Sequence, residues 1–301
     1  MNNILEDLKK LNINNLIENE PLYKHTTFKV GGPAMIFVDA IDLSDVTKTI
    51  DYCLTNNIKY FILGNGSNVL ISDKLFDGII ISTKKLNSYE INNNMVYAMC
   101  GVNLISLAYI SAEEGLSGLE FASGIPGCVG GSIYMNAGAY KKEMANVVKE
   151  VLVYKDGKLE WIPKEDLSFT YRNSIFQKHR EWVILAVNLE LEYANKDVII
   201  ELIEHRKSKR LATQPIGAYC AGSTFKNPSN EIFSWQLIDE ANLRGYKIND
   251  AQVSMKHSNF IINRDRASAS DIYNLICLVK KRVLEKSNIE LHEEVELVNF
   301  D

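Results

Sequence analysis

Apolar residues at helical spacing open the chain: Leu5, Leu8, Leu11 and then Leu16 predict an amphipathic N-terminal helix that docks on the rest of the protein. Asp42 reads as the N-cap of a second helix with Leu43, Val46, Ile50, Cys53 and Leu54 on one side. Residues 59–63 predict a short buried strand ended by Gly64-Asn65-Gly66-Ser67-Asn68, and residues 78–81 a second apolar strand. A strand over 95–100 and a helix over 104–114 follow. Beyond a glycine-rich segment, Asp156-Gly157 separates strand-like runs 147–154 and 158–162, the pattern of a two-residue hairpin. Residues 182–193 alternate as a strand with one solvated face would. A helix from Asp197 ends in the basic run 205–210, whose cations complement the negative end of the helix dipole. The pattern breaks near Gln214-Pro215, which marks a domain boundary. Helices over 234–242 and 270–286 and strands over 259–263 and 295–300 complete the chain. This mixture predicts α/β or α+β layers without internal repeats.

Composition narrows the classes. At 301 residues the chain has room for about two domains and a sizeable core. The net charge of −5 supplies no global basic field for nucleic acid or anionic membrane, so an anionic ligand has to be held locally, in a pocket. The five cysteines, Cys53, Cys100, Cys128, Cys220 and Cys277, are scattered and suit neither a disulfide framework nor a four-ligand metal site. The N-terminus has no signal-peptide pattern, and no apolar run approaches the roughly 20 residues needed to span a bilayer. The expectation is a cytoplasmic protein with reduced thiols and no metal.

Two segments could carry chemistry. In Gly64-Asn65-Gly66-Ser67-Asn68, residues tolerant of positive φ could turn successive N–H groups inward as an anion nest, although the same residues also build ordinary turns. The loop is neither a Walker motif, since no Gly-Lys-Ser/Thr follows, nor a Rossmann fingerprint, since Val69 takes the third glycine position. The second segment runs from Gly124 to Tyr140 and includes Gly130, Gly131, Ser132, Asn136, Ala137 and Gly138. So little side chain over so long a run implies a close approach of backbone to something, and two such loops suit an extended dinucleotide.

Together with Thr26-Thr27-Phe28-Lys29-Val30-Gly31-Gly32-Pro33-Ala34, these segments resemble the flavin-binding half of the UDP-N-acetylenolpyruvoylglucosamine reductase family, part of the wider vanillyl-alcohol-oxidase-like (PCMH-type) fold. The likeness continues through Tyr171-Arg172-Asn173-Ser174-Ile175-Phe176, Ala221-Gly222-Ser223-Thr224-Phe225-Lys226-Asn227-Pro228, Leu237-Ile238-Asp239-Glu240, His257-Ser258-Asn259-Phe260 and Glu294-Val295. It implies an α+β fold, non-covalent FAD, NADPH as hydride donor, and reduction of UDP-N-acetylglucosamine-enolpyruvate to UDP-N-acetylmuramate in peptidoglycan precursor synthesis. By this resemblance Ser223 delivers a proton to substrate carbon, while Arg172 and Glu294 stabilise the enol-like intermediate; Glu293 is adjacent, and a one-residue slip would exchange the two. Tyr140, Lys226 and Asn227 become contacts to the UDP-sugar. His25 reads as a packing or polar contact and His257 as structural. Cys220 stands where the family more often has serine or asparagine. The short interval between Arg172 and Ser223 leaves little room for a tyrosine-bearing lid, as in the shorter type II form.

The resulting partition is a first FAD-binding lobe over 1–83, a second over 84–208 and a substrate domain over 209–294, with the tail 295–301 returning to the first lobe. Partners are the two substrates, without nucleic acid, membrane or an obligatory protein. Two rivals stand beside this reading: a flavin oxidase of the same superfamily, and a flavin-free UDP-sugar binder.

Overall fold

In the computed structural model the described residues are 4–300, and they form two units, each discontinuous in sequence. The first comprises the chain through Asn19, Met35–Asn65 and Asp77–Ser208; the second comprises Glu20–Ala34, Gly66–Phe76 and the chain from Lys209. Two N-terminal segments thus count with the C-terminal third. The C-terminal strand Glu296–Val298 pairs in parallel with Val69–Ile71, and both belong to the second unit.

The described helices are α1 (Ile4–Lys10), α2 (Leu43–Asn56), α3 (Leu104–Glu113), α4 (Val129–Tyr134), α5 (Lys196–Thr213), α6 (Ser234–Glu240) and α7 (Ala269–Ser287). None is long and apolar enough to cross a membrane. Helix α1 stops short of the predicted span. Asn12 turns into the left-handed region at φ 65°, and Leu16 starts a strand instead. Asp42 caps α2 as predicted, accepting from the Asp45 N–H at 2.8 Å, and Val46, Ile50 and Cys53 are buried while Leu54 stays exposed.

One sheet has the order Leu16–Pro21, Pro33–Asp39, Phe76–Ser82, Tyr60–Leu63, the last two strands being parallel. A second, antiparallel sheet has the order Lys158–Pro163, Val148–Lys155, Val183–Glu190, Met95–Met99, Tyr89–Asn92. Its hairpin turns at Asp156 (φ 50°) and Gly157 (φ 73°), the two positive angles that a two-residue turn matched to strand twist requires. The strand Val183–Glu190 departs from expectation: residues 183–187 are all buried, so both faces are covered where one solvated face was predicted. The strand is central in its sheet, and α4 packs against it.

The second unit is organised by α7. Its Ser268/Asp271 capping box starts the helix, and the Asp73 carboxylate accepts from the Ala269 and Ser270 N–H groups at 2.9 Å. Ile272, Leu275, Ile276, Val279 and Val283 form one fully buried stripe at helical spacing, in a core with Leu70 and Phe225.

Burial sorts the thiols. It pushes Cys53 and Cys100 up to about 12, whereas Cys277 is exposed. A thiol-reactive dye at pH 8 is expected to label Cys277 promptly in the native protein and to reach Cys53 and Cys100 only after denaturant is added. Prompt labelling of all five would contradict this core.

Candidate active site

The two glycine-rich loops meet in the first unit. The strand Tyr60–Leu63 delivers the chain to Gly64, where a Cβ would overlap the Cys128 sulfur. Gly64 therefore allows the close passage of residues 127–128 past the first loop. Within the second unit, Gly66 has φ +66° and lies against the His25 carbonyl, which excludes any side chain there. At the start of α4 the Val129 and Gly130 N–H groups donate to Val102 and Cys100 carbonyls at 2.9 and 2.8 Å, and a Cβ on Gly130 would stand 2.8 Å from Cys100 Cβ.

Several of the glycines expected to face a ligand thus face protein. Gly130 packs on Cys100, and Gly138 packs on Lys142 and Glu143. Gly131 differs: it is exposed, and a Cβ placed on it would come only within 3.7 Å of Cys128 Sγ, so backbone is open to an incoming group there. The two loops also wall a cavity of about 190 Å³ at Asn65, Gly127 and Cys128. An open main chain at Gly131 fits the phosphate-bearing part of a dinucleotide such as FAD.

The polar side chains of the second loop hold the protein together. Ser132 Oγ donates to the Cys128 carbonyl at 2.9 Å. Asn136 is fully buried, with Nδ2 on the Thr170 carbonyl at 2.9 Å and Oδ1 accepting from the Ala145 N–H at 3.0 Å. The Ala137 N–H returns to the Ser132 carbonyl, and Gly124 lies in the turn ahead of α4.

Asn136 thereby fastens the turn that carries Arg172. Thr170 and Asn173 exchange backbone hydrogen bonds at 3.1 Å, and Arg172 sits between them at φ 52°. A left-handed arginine is a strained backbone held by its surroundings. Here Ser174 Oγ donates to the Tyr134 carbonyl at 2.6 Å, Gln177 Nε2 donates to the Arg172 carbonyl at 3.1 Å, and Arg172 Nη2 donates to the Gly138 carbonyl at 2.7 Å. Four anchors aim one guanidinium.

Ser223 and Glu294 lie in the second unit. Gly222, at φ +75°, makes the turn before Ser223, and the chain is pinned immediately after it. The Thr224 N–H donates to the Asn259 carbonyl at 2.8 Å, and the Asn259 amide brackets Phe225, accepting from its N–H at 3.0 Å and donating to its carbonyl at 2.9 Å. The Ser223 hydroxyl makes no hydrogen bond among the described residues. The Glu294 N–H donates to the Thr224 carbonyl at 2.8 Å, placing the two segments side by side, and Asn68 Nδ2 donates to the Glu294 carbonyl at 2.9 Å. Neighbouring Glu293 is engaged by Lys280 Nζ at 2.8 and 2.9 Å. Asn68, expected at the cofactor, is here also a brace for Glu294.

Lys226 and Asn227 hold the start of α6. Ser234 Oγ donates to the Lys226 carbonyl at 2.6 Å, and Asn227 Oδ1 accepts from the Ser234 N–H at 3.1 Å. Tyr140 donates its hydroxyl to the Arg206 carbonyl at 3.2 Å, and the Arg206 guanidinium lies 4.8 Å over the Tyr140 ring. Sequence reasoning missed Arg206 by assigning the basic run to the helix dipole. Helix α5 continues to Thr213, so Arg206 is well short of the helix end, and its Nη1 is buried without a hydrogen-bond partner. Its distance from the helix end was the usable signal.

His25 makes a polar contact, Nε2 to Glu20 Oε1 at 2.9 Å. His257 packs edge-on to Trp235 and Phe260, and burial holds its pKa below the usual histidine value. Among the described residues no cluster of histidine, cysteine or carboxylate side chains could hold a metal ion.

Comparison with known proteins bears on this arrangement. Residues 34–162 match an FAD binding domain family, and residues 214–298 match the family described as UDP-N-acetylenolpyruvoylglucosamine reductase, C-terminal domain. The chain is 40% identical to the UDP-N-acetylenolpyruvoylglucosamine reductase of Bacillus licheniformis and 39% identical to that of Bacillus subtilis, in each case over 300 residues covering 99% of both chains. The crystal structure of the Thermus caldophilus reductase superposes with a TM-score of 0.80 at 32% identity, over 94% of this chain and 98% of that one. A glucose dehydrogenase, Phl p 4.0202, superposes with a TM-score of 0.51 at 15% identity over 64% of this chain and 44% of its own, which shows a shared fold alone. Identity sustained along the whole length separates the reductases from that broader likeness, and the chain belongs to the UDP-N-acetylenolpyruvoylglucosamine reductase family of FAD-binding oxidoreductases.

Proposed function

We propose that this enzyme uses NADPH to reduce the enolpyruvyl group of UDP-N-acetylglucosamine-enolpyruvate, forming UDP-N-acetylmuramate for peptidoglycan precursor synthesis in the cytoplasm. FAD, when bound, supplies the hydride that adds to the enolpyruvyl methylene. Gly64–Asn68, Gly124 and the segment Gly130–Gly138 hold that cofactor, with the open backbone at Gly131 as a contact point. Negative charge then develops on the neighbouring substrate carbon and its carboxylate. The Arg172 guanidinium holds that carboxylate through its fork of donors. Glu294, protonated, donates a hydrogen bond to the second oxygen. Ser223 gives its hydroxyl proton to the carbon. Tyr140, Lys226 and Asn227, joined by Arg206, hold the UDP-sugar.

The observation that carries this reading is the Ser223 hydroxyl, which has no hydrogen-bond partner among the described residues, on a backbone fixed by Asn259 and set beside Glu294. A hydroxyl without protein partners on a rigid support is suited to donate to a substrate. The test is an anaerobic visible spectrum of the purified protein, taken before and after NADPH and again after the enolpyruvyl substrate. The expected result is a flavin band that bleaches with NADPH and returns with substrate. A band that NADPH leaves unchanged, or that the substrate fails to restore, would overturn the proposal.

A further inference from the structure

Little regular structure holds the segment that carries Glu294. Glu293 makes an isolated antiparallel bridge with Phe225, Glu294 and Val295 lie in a bend, and the strand begins only at Glu296. Two backbone bonds flank the bridge, from the Lys226 N–H to the His292 carbonyl at 2.9 Å and from the Glu294 N–H to the Thr224 carbonyl at 2.8 Å. Burial alternates along this stretch. Leu291 and Val295 are buried in the core that α7 organises, whereas His292 is exposed. Glu293 stands between the two apolar positions, on the face turned to α7. There Lys280 of that helix meets both oxygens of its carboxylate, at 2.8 and 2.9 Å. The lysine and glutamate side chains are only 28% and 23% exposed, so water screens this pair less than an ordinary surface one.

An extended chain sends successive side chains to opposite faces, so Glu293 at α7 directs Glu294 away from that helix. A charge at a half-buried position between two core residues stays there only while it is compensated. Without the ammonium, the segment can keep Leu291 and Val295 buried or hydrate the Glu293 carboxylate, but not both. Any outward turn of Glu293 moves the adjoining bend. Asn68 ties the same bend from another side, through the Glu294 carbonyl at 2.9 Å.

We infer that Lys280 is a positioning residue for the reduction of substrate: it holds Glu293 against α7 and thereby keeps Glu294 presented to the reacting group. The inference rests on the role proposed for Glu294 and adds to it the ion pair that sets which of two adjacent carboxylates reaches the substrate.

The test is stopped-flow absorbance of the flavin in the holoenzyme, mixed first with NADPH and then with the enolpyruvyl substrate. Lys280→Met is expected to be reduced at the wild-type rate and re-oxidised about ten- to a hundredfold more slowly. Lys280→Arg keeps the ion pair and is expected to re-oxidise near the wild-type rate. Lys280→Met combined with Glu293→Leu removes both charges and continues the apolar face from Leu291 to Val295. This double variant is expected to regain most of the lost rate, because an apolar pair can replace a half-buried ion pair where a single charge cannot be left alone. Wild-type re-oxidation in Lys280→Met would overturn the inference. A double variant as slow as the single one would overturn it too, by showing that the ammonium acts on the anionic substrate itself. Loss of flavin, or an equal loss in both half-reactions, would reduce the ion pair to a general support and also overturn it. Wild-type re-oxidation in Glu294→Ala is a separate result that removes the role of Glu294 on which the inference stands.

Discussion

Ser223→Ala is expected to yield a protein that binds FAD and bleaches with NADPH at the wild-type rate, yet is re-oxidised by the enolpyruvyl substrate about 10²–10⁴-fold more slowly. The two half-reactions separate because the hydroxyl acts only in the second, where a carbon must gain a proton. The substitution also leaves the fold intact. The Ser223 hydroxyl has no hydrogen bond to lose among the described residues, and the neighbouring backbone is held by Asn259 and Glu294 without it. Stopped-flow absorbance of the flavin, reduced first and then mixed with substrate, reads the second half-reaction directly. Wild-type re-oxidation would remove Ser223 from the mechanism.

Arg172→Lys is expected to lower kcat about 10²–10³-fold while changing the melting temperature little. The charge survives this substitution, but the geometry does not. Arg172 gives Nη2 to the Gly138 carbonyl at 2.7 Å, and a planar fork of donors can keep that bond while meeting a substrate carboxylate. An ammonium on a flexible stem cannot hold the carbonyl and two carboxylate oxygens in one plane. Steady-state kinetics checks this: a fall in kcat exceeding any rise in KM marks an interaction formed mainly in the transition state. Near-wild-type kcat would show that charge alone suffices and that the anchoring of the turn 170–173 serves stability.

Legibility from sequence followed the range of the interaction. The Asp42 cap and the Asp156-Gly157 hairpin were readable because each depends on residues within a few positions. The α7 stripe was readable because burial repeats with the helical period. The strand Val183–Glu190 was misread as half-solvated because its faces are buried by distant segments, α4 among them, which its own residues do not record. The glycine-rich loops were recognised as a group, but Gly130 and Gly138 are explained by Cys100 and Lys142, whereas Gly131 stands open.

By itself the sequence determined the local elements, the loop compositions suited to a dinucleotide, and the family resemblance that named Arg172, Ser223 and Glu294. Tertiary structure decided the rest. It engaged Glu293 with Lys280 while pinning Glu294 to Thr224 and Asn68. It turned Asn136 from a loop residue into the anchor of the Arg172 turn. Each of these pairs long-separated residues whose meeting is fixed by sheet order and packing, and such a meeting leaves no periodic mark along the chain.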